Sequence, residues 1–143
     1  MRKAVPESRS SLFLYSFKSI TMITAIHILG QILLGGYFIY NGVKHFKDHR
    51  DYSAYAASNS VPTPQFSVYL TGILLLLGGL GIFFNMYVGV AILLLVIFLI
   101  PTSIMMHAYW NAENPGERAA QKIAFLKNMA LLGALLLMFQ GWK

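Results

Sequence analysis

The chain has 143 residues, of which 57% are hydrophobic and only 11% are charged, and its formal net charge is +6. Soluble domains carry about 25% charged residues and disordered chains are less hydrophobic, so this composition excludes both classes and indicates a membrane protein. The absence of cysteine excludes a disulfide framework, a thiolate nucleophile, an iron–sulfur cluster held by this chain, covalent c-type haem and a quinone-linked disulfide oxidoreductase.

Four segments are long and apolar enough to cross a bilayer, and they cover about residues 21–46, 66–84, 87–107 and 124–142. Each must be helical, because an isolated span has no other way to satisfy its backbone N–H and C=O groups in lipid. The predicted fold class is therefore all-α. We expect residues 1–143 to form a single domain, an integral membrane antiparallel four-helix bundle.

The first 20 residues form a basic arm with several aromatic side chains, and we expect this arm to lie along the membrane interface. An even number of spans places both termini on the same side of the membrane. The basic residues divide almost equally between the two sides, five against six, so their count does not decide the orientation. The first span usually dominates and four basic residues precede it, so both termini are predicted to be cytoplasmic. These four residues are Arg2, Lys3, Arg9 and Lys18.

The loop between the first two spans, residues 47–65, is polar and is expected to act as a lid over one end of the bundle. Within it, residues 52–57 predict a short interfacial helix with two tyrosines at headgroup level. The loop ends in Val61-Pro62-Thr63-Pro64, and its prolines predict an extended approach to the second span.

The remaining connections are shorter. Little more than Asn85-Met86 separates the second and third spans, which predicts a tight antiparallel hairpin. Before the last span, Asn114 at the N-cap and Pro115 at the first helical position predict a helix start. Nothing stops this helix before Trp142, so its first turns are expected to stand out of the membrane.

Polar residues gather at one end of the predicted bundle. The first span ends, the second begins, the third ends and the fourth begins on the same side of the membrane, whichever way the protein is oriented. This end collects Asn41, Lys44, His45, Tyr69, His107, Trp110, Lys127 and Asn128, whereas the other end offers little besides His27, Gln31 and Asn85. Polar side chains at membrane depth are costly and often functional, so the convergent end is the candidate site.

Several chemistries are compatible with this cluster. His45, Lys44, His107 and Trp110 could hold a quinone headgroup, which needs a hydrogen-bond donor to each carbonyl and an aromatic wall. A b-type haem is a second option, because His45 and His107 are at matching depth for two axial ligands. No metal site is predicted, since the acidic and histidine residues show no ligand spacing. Alternatively, the same side chains only bond to headgroups, water or neighbouring helices.

The order of several short motifs over roughly residues 28–139 resembles the DoxX-like family of small four-span bacterial membrane proteins. These motifs are Gly35-Gly36-Tyr37-Phe38, Asn41-Gly42-Val43-Lys44-His45-Phe46, Tyr55-Ala56, Val61-Pro62-Thr63-Pro64, His107-Ala108-Tyr109-Trp110 and Phe125-Leu126-Lys127-Asn128-Met129-Ala130-Leu131-Leu132-Gly133. The resemblance implies a bacterial inner-membrane protein. Relatives are described as small subunits of quinol oxidoreductases or as membrane partners of redox-stress enzymes, and the superfamily also includes eukaryotic cargo receptors.

These expectations combine into one functional hypothesis and one alternative. The hypothesis is a membrane subunit of a respiratory or redox complex, with a quinone- or partner-binding site at the convergent end. The candidate site residues are Asn41, Lys44, His45, His107, Trp110 and Asn128. The alternative is a non-catalytic membrane scaffold or assembly partner whose polar cluster is structural. Expected partners are the lipid bilayer and other membrane or redox proteins, with self-association into a homo-oligomer left open; nucleic acid is not expected.

Overall fold

A computed structural model describes residues 9–140, and in this range the chain is all-α, without a β-strand. The helices are α1 (Arg9–Lys47), α2 (His49–Ser58), α3 (Pro64–Phe83), α4 (Val88–Met106) and α5 (Pro115–Gln140), with a short 3-10 turn at Tyr109–Asn111 between α4 and α5. Four of these segments, those of α1, α3, α4 and α5, are long and apolar enough to cross a membrane. The predicted all-α bundle of four long apolar helices is confirmed.

The surface of the bundle is as apolar as its interior. Leu33, Leu77, Leu93 and Leu137, one from each long helix, are all more than half exposed. A smaller set of side chains forms the buried core, namely Phe38, Leu75, Ile82, Val88, Ala91, Ile92, Leu95, Leu99 and Leu135. An exterior of this kind is stable in contact with lipid and not with water. The chain is therefore a multi-pass membrane protein.

The long helices pack in chain order, α1 against α3, α3 against α4 and α4 against α5. Glycines permit close approach at the first two of these contacts. A Cβ added to Gly35 would lie 2.7 Å from the backbone N of Phe83, and one added to Gly78 would lie 2.5 Å from Cγ of Leu95. Small residues at helix interfaces are typical of membrane proteins, where close packing drives helix association.

Helix α1 is much longer than its neighbours and extends beyond one end of the bundle. The side-chain Nε2 of Gln31 donates to Oδ1 of Asn85, which lies in the turn between α3 and α4. Residues 9–30 precede this point and, at 1.5 Å per residue, reach roughly 33 Å past the turn. Residues 9–20 of the predicted interfacial arm thus continue the helix of the first span, while residues 1–8 lie outside the described range.

The connections follow the sequence signals with one exception. Asn114 caps α5, because its Oδ1 accepts a hydrogen bond from the backbone N–H of Gly116 at 2.8 Å. In the lid loop, α2 occupies residues 49–58 and includes the predicted short helix. Thr63, however, is not extended as the following proline predicts; it adopts a left-handed conformation with φ 46°. This conformation lets its carbonyl accept from the N–H of Ser67, which starts α3.

Candidate functional site

A cavity of about 520 Å³ lies at the end of the bundle where α1 and α4 end and α3 and α5 begin. Its walls come from all four long helices, and α2 contributes Tyr52, Tyr55 and Ala56. Four of the six predicted site residues line it, namely Asn41, His45, His107 and Asn128, and so does Lys127. These residues come from α1, from α5 and from the position just after α4, which are helix ends that span direction predicts on the same side of the membrane.

His45 is held at the end of α1 by its own helix and by α2. Its Nδ1 lies 2.8 Å from the backbone O of Asn41, and its ring stacks on the ring of Tyr52 with 4.6 Å between centroids. A carbonyl only accepts hydrogen bonds, so Nδ1 carries the proton in this contact. In the neutral ring Nε2 is then an acceptor, and among the described residues it has no hydrogen-bond partner.

His107 ends α4 and belongs to a chain of hydrogen bonds. Its Nδ1 lies 2.8 Å from Oε1 of Gln121 on α5, and Nε2 of Gln121 donates to the hydroxyl of Tyr55 on α2 at 2.7 Å. That hydroxyl donates in turn to the backbone O of Met106 at 3.3 Å. Because the amide oxygen of Gln121 only accepts, the Nδ1 of His107 is the donor in this contact, and in the neutral ring Nε2 is then an acceptor.

Gln121 does not line the cavity but bonds to His107, which does, and the sequence reasoning missed it. It lies seven residues before Asn128 on the same helix, and seven residues are close to two full turns, so the two side chains share a face. This spacing is the signal that could have found it. The predicted span began only at residue 124, so Gln121 lay outside the segment that was expected to be at membrane depth.

Asn128 lines the cavity from α5. Its residue surface is only 5% exposed, it lines the cavity, and no described residue forms a hydrogen bond with its amide. By contrast, the Nδ2 of Asn41 donates to the backbone O of Tyr37 at 2.7 Å. The amide atoms of Asn128 are not among the fully buried polar atoms that lack a partner in the described chain, so they are open to the cavity. An unpaired amide in this position can bond to a ligand seated in the cavity.

Two predicted site residues do not line the cavity. Lys44 precedes His45 by one residue, about 100° around the helix, and its Nζ forms an ion pair with Asp48 at 3.3 Å. Trp110 lies in the 3-10 turn after α4 has ended, about half exposed, and packs edge to face against Tyr109 and Phe125. Trp110 already lay beyond the predicted third span, and the apolar pattern carries no signal for the 3-10 turn that sets its direction.

The rest of the cavity wall is mostly apolar. Phe98, Leu99, Met105 and Met106 line it from α4, together with Pro101, while Val68, Leu74 and Leu75 line it from α3. Over the described range, no group of three or more His, Cys, Asp or Glu residues is arranged to hold a metal ion. The cavity thus combines an apolar body with a few polar groups, the usual composition of a small-molecule site.

These features define a multi-pass α-helical membrane protein with a mostly apolar cavity, bearing a few polar side chains, at the end of its bundle. The chain belongs to the DoxX family, whose profile matches residues 20–108. The match includes α2, α3, α4 and His107 but not Lys127 or Asn128, so the part of the cavity that α5 forms lies outside it. No curated protein and no solved structure matches the chain.

Proposed function

We propose that this DoxX-family protein is the membrane subunit of a respiratory or redox complex and that its cavity binds a quinone headgroup. The observation that carries the proposal is Asn128, a residue of the cavity lining whose amide has no hydrogen-bond partner in the described chain. The volume of about 520 Å³ falls in the range of small-molecule sites, about 300–1,000 Å³.

The polar groups suit both redox forms of the headgroup. A quinone presents two carbonyl oxygens, and the NH₂ of Asn128 and the ammonium of Lys127 are donors on the cavity wall. A quinol presents two hydroxyl donors, and the Nε2 atoms of His45 and His107 are acceptors. Oxidation of a bound quinol would release two protons toward these histidines and two electrons to a redox centre in a partner subunit.

The proposed setting is the bacterial inner membrane, with both termini on the cytoplasmic side. The DoxX family match and the basic residues before the first span support this placement. In that orientation the cavity end, opposite the α3–α4 turn, faces away from the cytoplasm. Fusing a reporter that is active only in the cytoplasm to the C-terminus would test the orientation.

The test begins with protein purified in a mild detergent, from which bound quinone is extracted with solvent and quantified. Binding of a short-chain quinone is then measured for the wild type and for Asn128→Leu. Loss of the amide donor is expected to weaken binding about tenfold. It should leave thermal stability unchanged or slightly higher, because the amide has no partner in the described chain to lose.

Asn111→Leu is the matched control, because it makes the same chemical change in the exposed turn after α4, outside the cavity. If both variants bind quinone as the wild type does, the quinone site is wrong. The absorption spectrum of the same sample tests the b-type haem: a Soret band from bound haem, with no extractable quinone, would replace the quinone proposal.

The alternative, a non-catalytic scaffold, is favoured by one observation. The hydrogen bonds from His107 through Gln121 and Tyr55 to Met106 join α5, the end of α4 and α2 within the chain. This is the arrangement expected of a structural tie. A preparation that carries neither quinone nor haem, and still retains a membrane partner in a mild-detergent pull-down, would support the scaffold.

A further inference from the structure

A second recess lies outside the cavity, at the corner between α2 and the beginning of α3. Residues of α2 form one side of it and the start of α3 forms the other. Its lining residues are His49, Arg50, Ser53, Ala54, Ala57, Thr63, Pro64, Gln65 and Phe66. None of them is among the residues proposed to bind quinone.

The start of α3 offers unpaired backbone donors to this recess. Thr63 makes no side-chain capping bond, and Pro64 has no N–H. The backbone N–H groups of Gln65 and Phe66, in the first turn, have no acceptor within the described part of the chain. Such free N–H groups and the positive end of the helix dipole favour a bound anion.

Ser53 supplies an independent sign of a ligand. The residue is 8% exposed, and its Oγ is the one fully buried side-chain oxygen or nitrogen without a hydrogen-bond partner among the described residues. Leaving a hydroxyl unpaired in this way costs free energy, and native structures rarely tolerate it. Ser53 lines the recess, so a turn of its side chain about χ1 would bring the hydroxyl to a group seated there, which would supply the acceptor that it lacks.

The recess is lined by a positively charged residue, Arg50, and by no acidic residue. The guanidinium of Arg50 is exposed and forms no ion pair with a carboxylate of residues 9–140, where Lys44 and Asp48 make the only such pair. Neither Asp48 nor Asp51 lines the recess. An Arg with free donors, beside free backbone N–H groups, is suited to the oxygens of a phosphoryl group.

We propose that the recess between α2 and α3 binds a phosphoryl group, with Arg50, the hydroxyl of Ser53 and the N–H groups of Gln65 and Phe66 as its donors. Two sources share this chemistry, the headgroup of an anionic phospholipid and a free phosphate. The recess lies where α1 ends its apolar run and α3 begins one, the level at which lipid phosphates are found. The site does not depend on the quinone proposal.

The experiment compares Arg50→Gln with Lys47→Gln. Both remove one positive charge at the same end of the chain, but Lys47 is exposed on α1 and does not line the recess. Delipidated protein is titrated with phosphatidylglycerol, with phosphatidylcholine and with inorganic phosphate, and binding is followed by native mass spectrometry and by thermal stability. Arg50→Gln is expected to weaken phosphoryl binding about tenfold, and Lys47→Gln much less.

Ser53→Ala provides a second measurement that does not depend on charge. Without ligand this variant should be as stable as the wild type or more so, because it removes a hydroxyl that lacks a partner. With ligand it should gain less stability than the wild type does. A variant that is less stable in the absence of ligand and gains as much with it would overturn the role of Ser53.

The titrants distinguish the two sources. Stabilisation by phosphatidylglycerol alone identifies a lipid headgroup, and stabilisation by inorganic phosphate alone identifies a small phosphoryl ligand. Either result supports the site when Arg50→Gln weakens it and Lys47→Gln does not. Equal losses in Arg50→Gln and Lys47→Gln would overturn the proposal, since general surface charge would then explain the binding. A second result would also overturn the proposal. In it, phosphatidylcholine binds as tightly as phosphatidylglycerol, and Arg50→Gln changes the binding of neither lipid.

Discussion

At the α3–α4 turn, the bundle is close-packed and its polar groups are paired. Gly35 brings α1 against the backbone of Phe83, and Gln31 donates to Asn85 at 2.8 Å. At the opposite end, the same helices enclose a cavity of about 520 Å³. There Asn128 is buried without a partner in the described chain, and two histidines keep free ring nitrogens.

This difference indicates that the two ends serve different purposes. Close contacts between helices supply the stability of a membrane bundle, and a bundle cannot fill every space without losing its binding sites. Groups that are left unsatisfied inside a fold are more often functional than structural. We therefore expect substitutions at the α3–α4 end to change mainly folding and those at the cavity end to change mainly binding.

The largest effect is expected for Gly35→Ala. The new Cβ would lie 2.7 Å from the backbone N of Phe83 and 2.8 Å from its Cα, so α1 and α3 would have to move apart. Overpacking of this kind costs about 1–3 kcal/mol of unfolding free energy. Thermal or detergent-induced unfolding, followed by circular dichroism, measures the loss.

Gly36→Ala is the matched control, one residue further along α1, because a Cβ there meets nothing within 4 Å. It should leave stability unchanged or raise it by up to about 1 kcal/mol through the better helix propensity of alanine. Equal losses in the two variants would show that the contact between α1 and α3 does not carry the stability of this end.

The next effect concerns the cavity. His45→Ala and His107→Ala are each expected to weaken quinone binding about tenfold while the protein still folds, because each removes one acceptor from the cavity wall. His27→Ala is the control, since His27 is exposed on α1 beyond the α3–α4 turn. Quinone titration measures the binding, and circular dichroism checks that each variant folds. If both cavity variants bind quinone as the wild type does, these histidines are not part of the site.

The sequence predicted the fold and the convergence of the helix ends, because both follow from the length and direction of apolar segments. The same reasoning brought His45 and His107 to one end without any knowledge of packing. The cap at Asn114 was equally predictable, because helix starts depend on local chemistry. These features need no information about how the helices rotate around their own axes.

Rotation about the helix axis and the ends of helices were not predictable in the same way. Lys44 and His45 are neighbours in the chain, yet His45 lines the cavity while Lys44 pairs with Asp48 outside it. Trp110 misses the cavity because α4 ends at Met106. Gln121 was overlooked because α5 extends well before its apolar segment. The positions of these three side chains depend on tertiary packing, and the apolar pattern of a membrane helix carries little information about packing.

The smallest effect tests whether the cavity end is tied together by its hydrogen bonds. Tyr55→Phe removes the hydroxyl that accepts from Gln121 and donates to Met106, and it should cost about 0.5–1.5 kcal/mol of unfolding free energy. Gln121→Leu breaks the same chain at the next residue, so the double variant should lose less than the sum of the two single losses. Unfolding of all four proteins measures this coupling. Additive losses would show that α2 is not held over the cavity through Gln121, and the loop 47–65 could then open without disturbing His107.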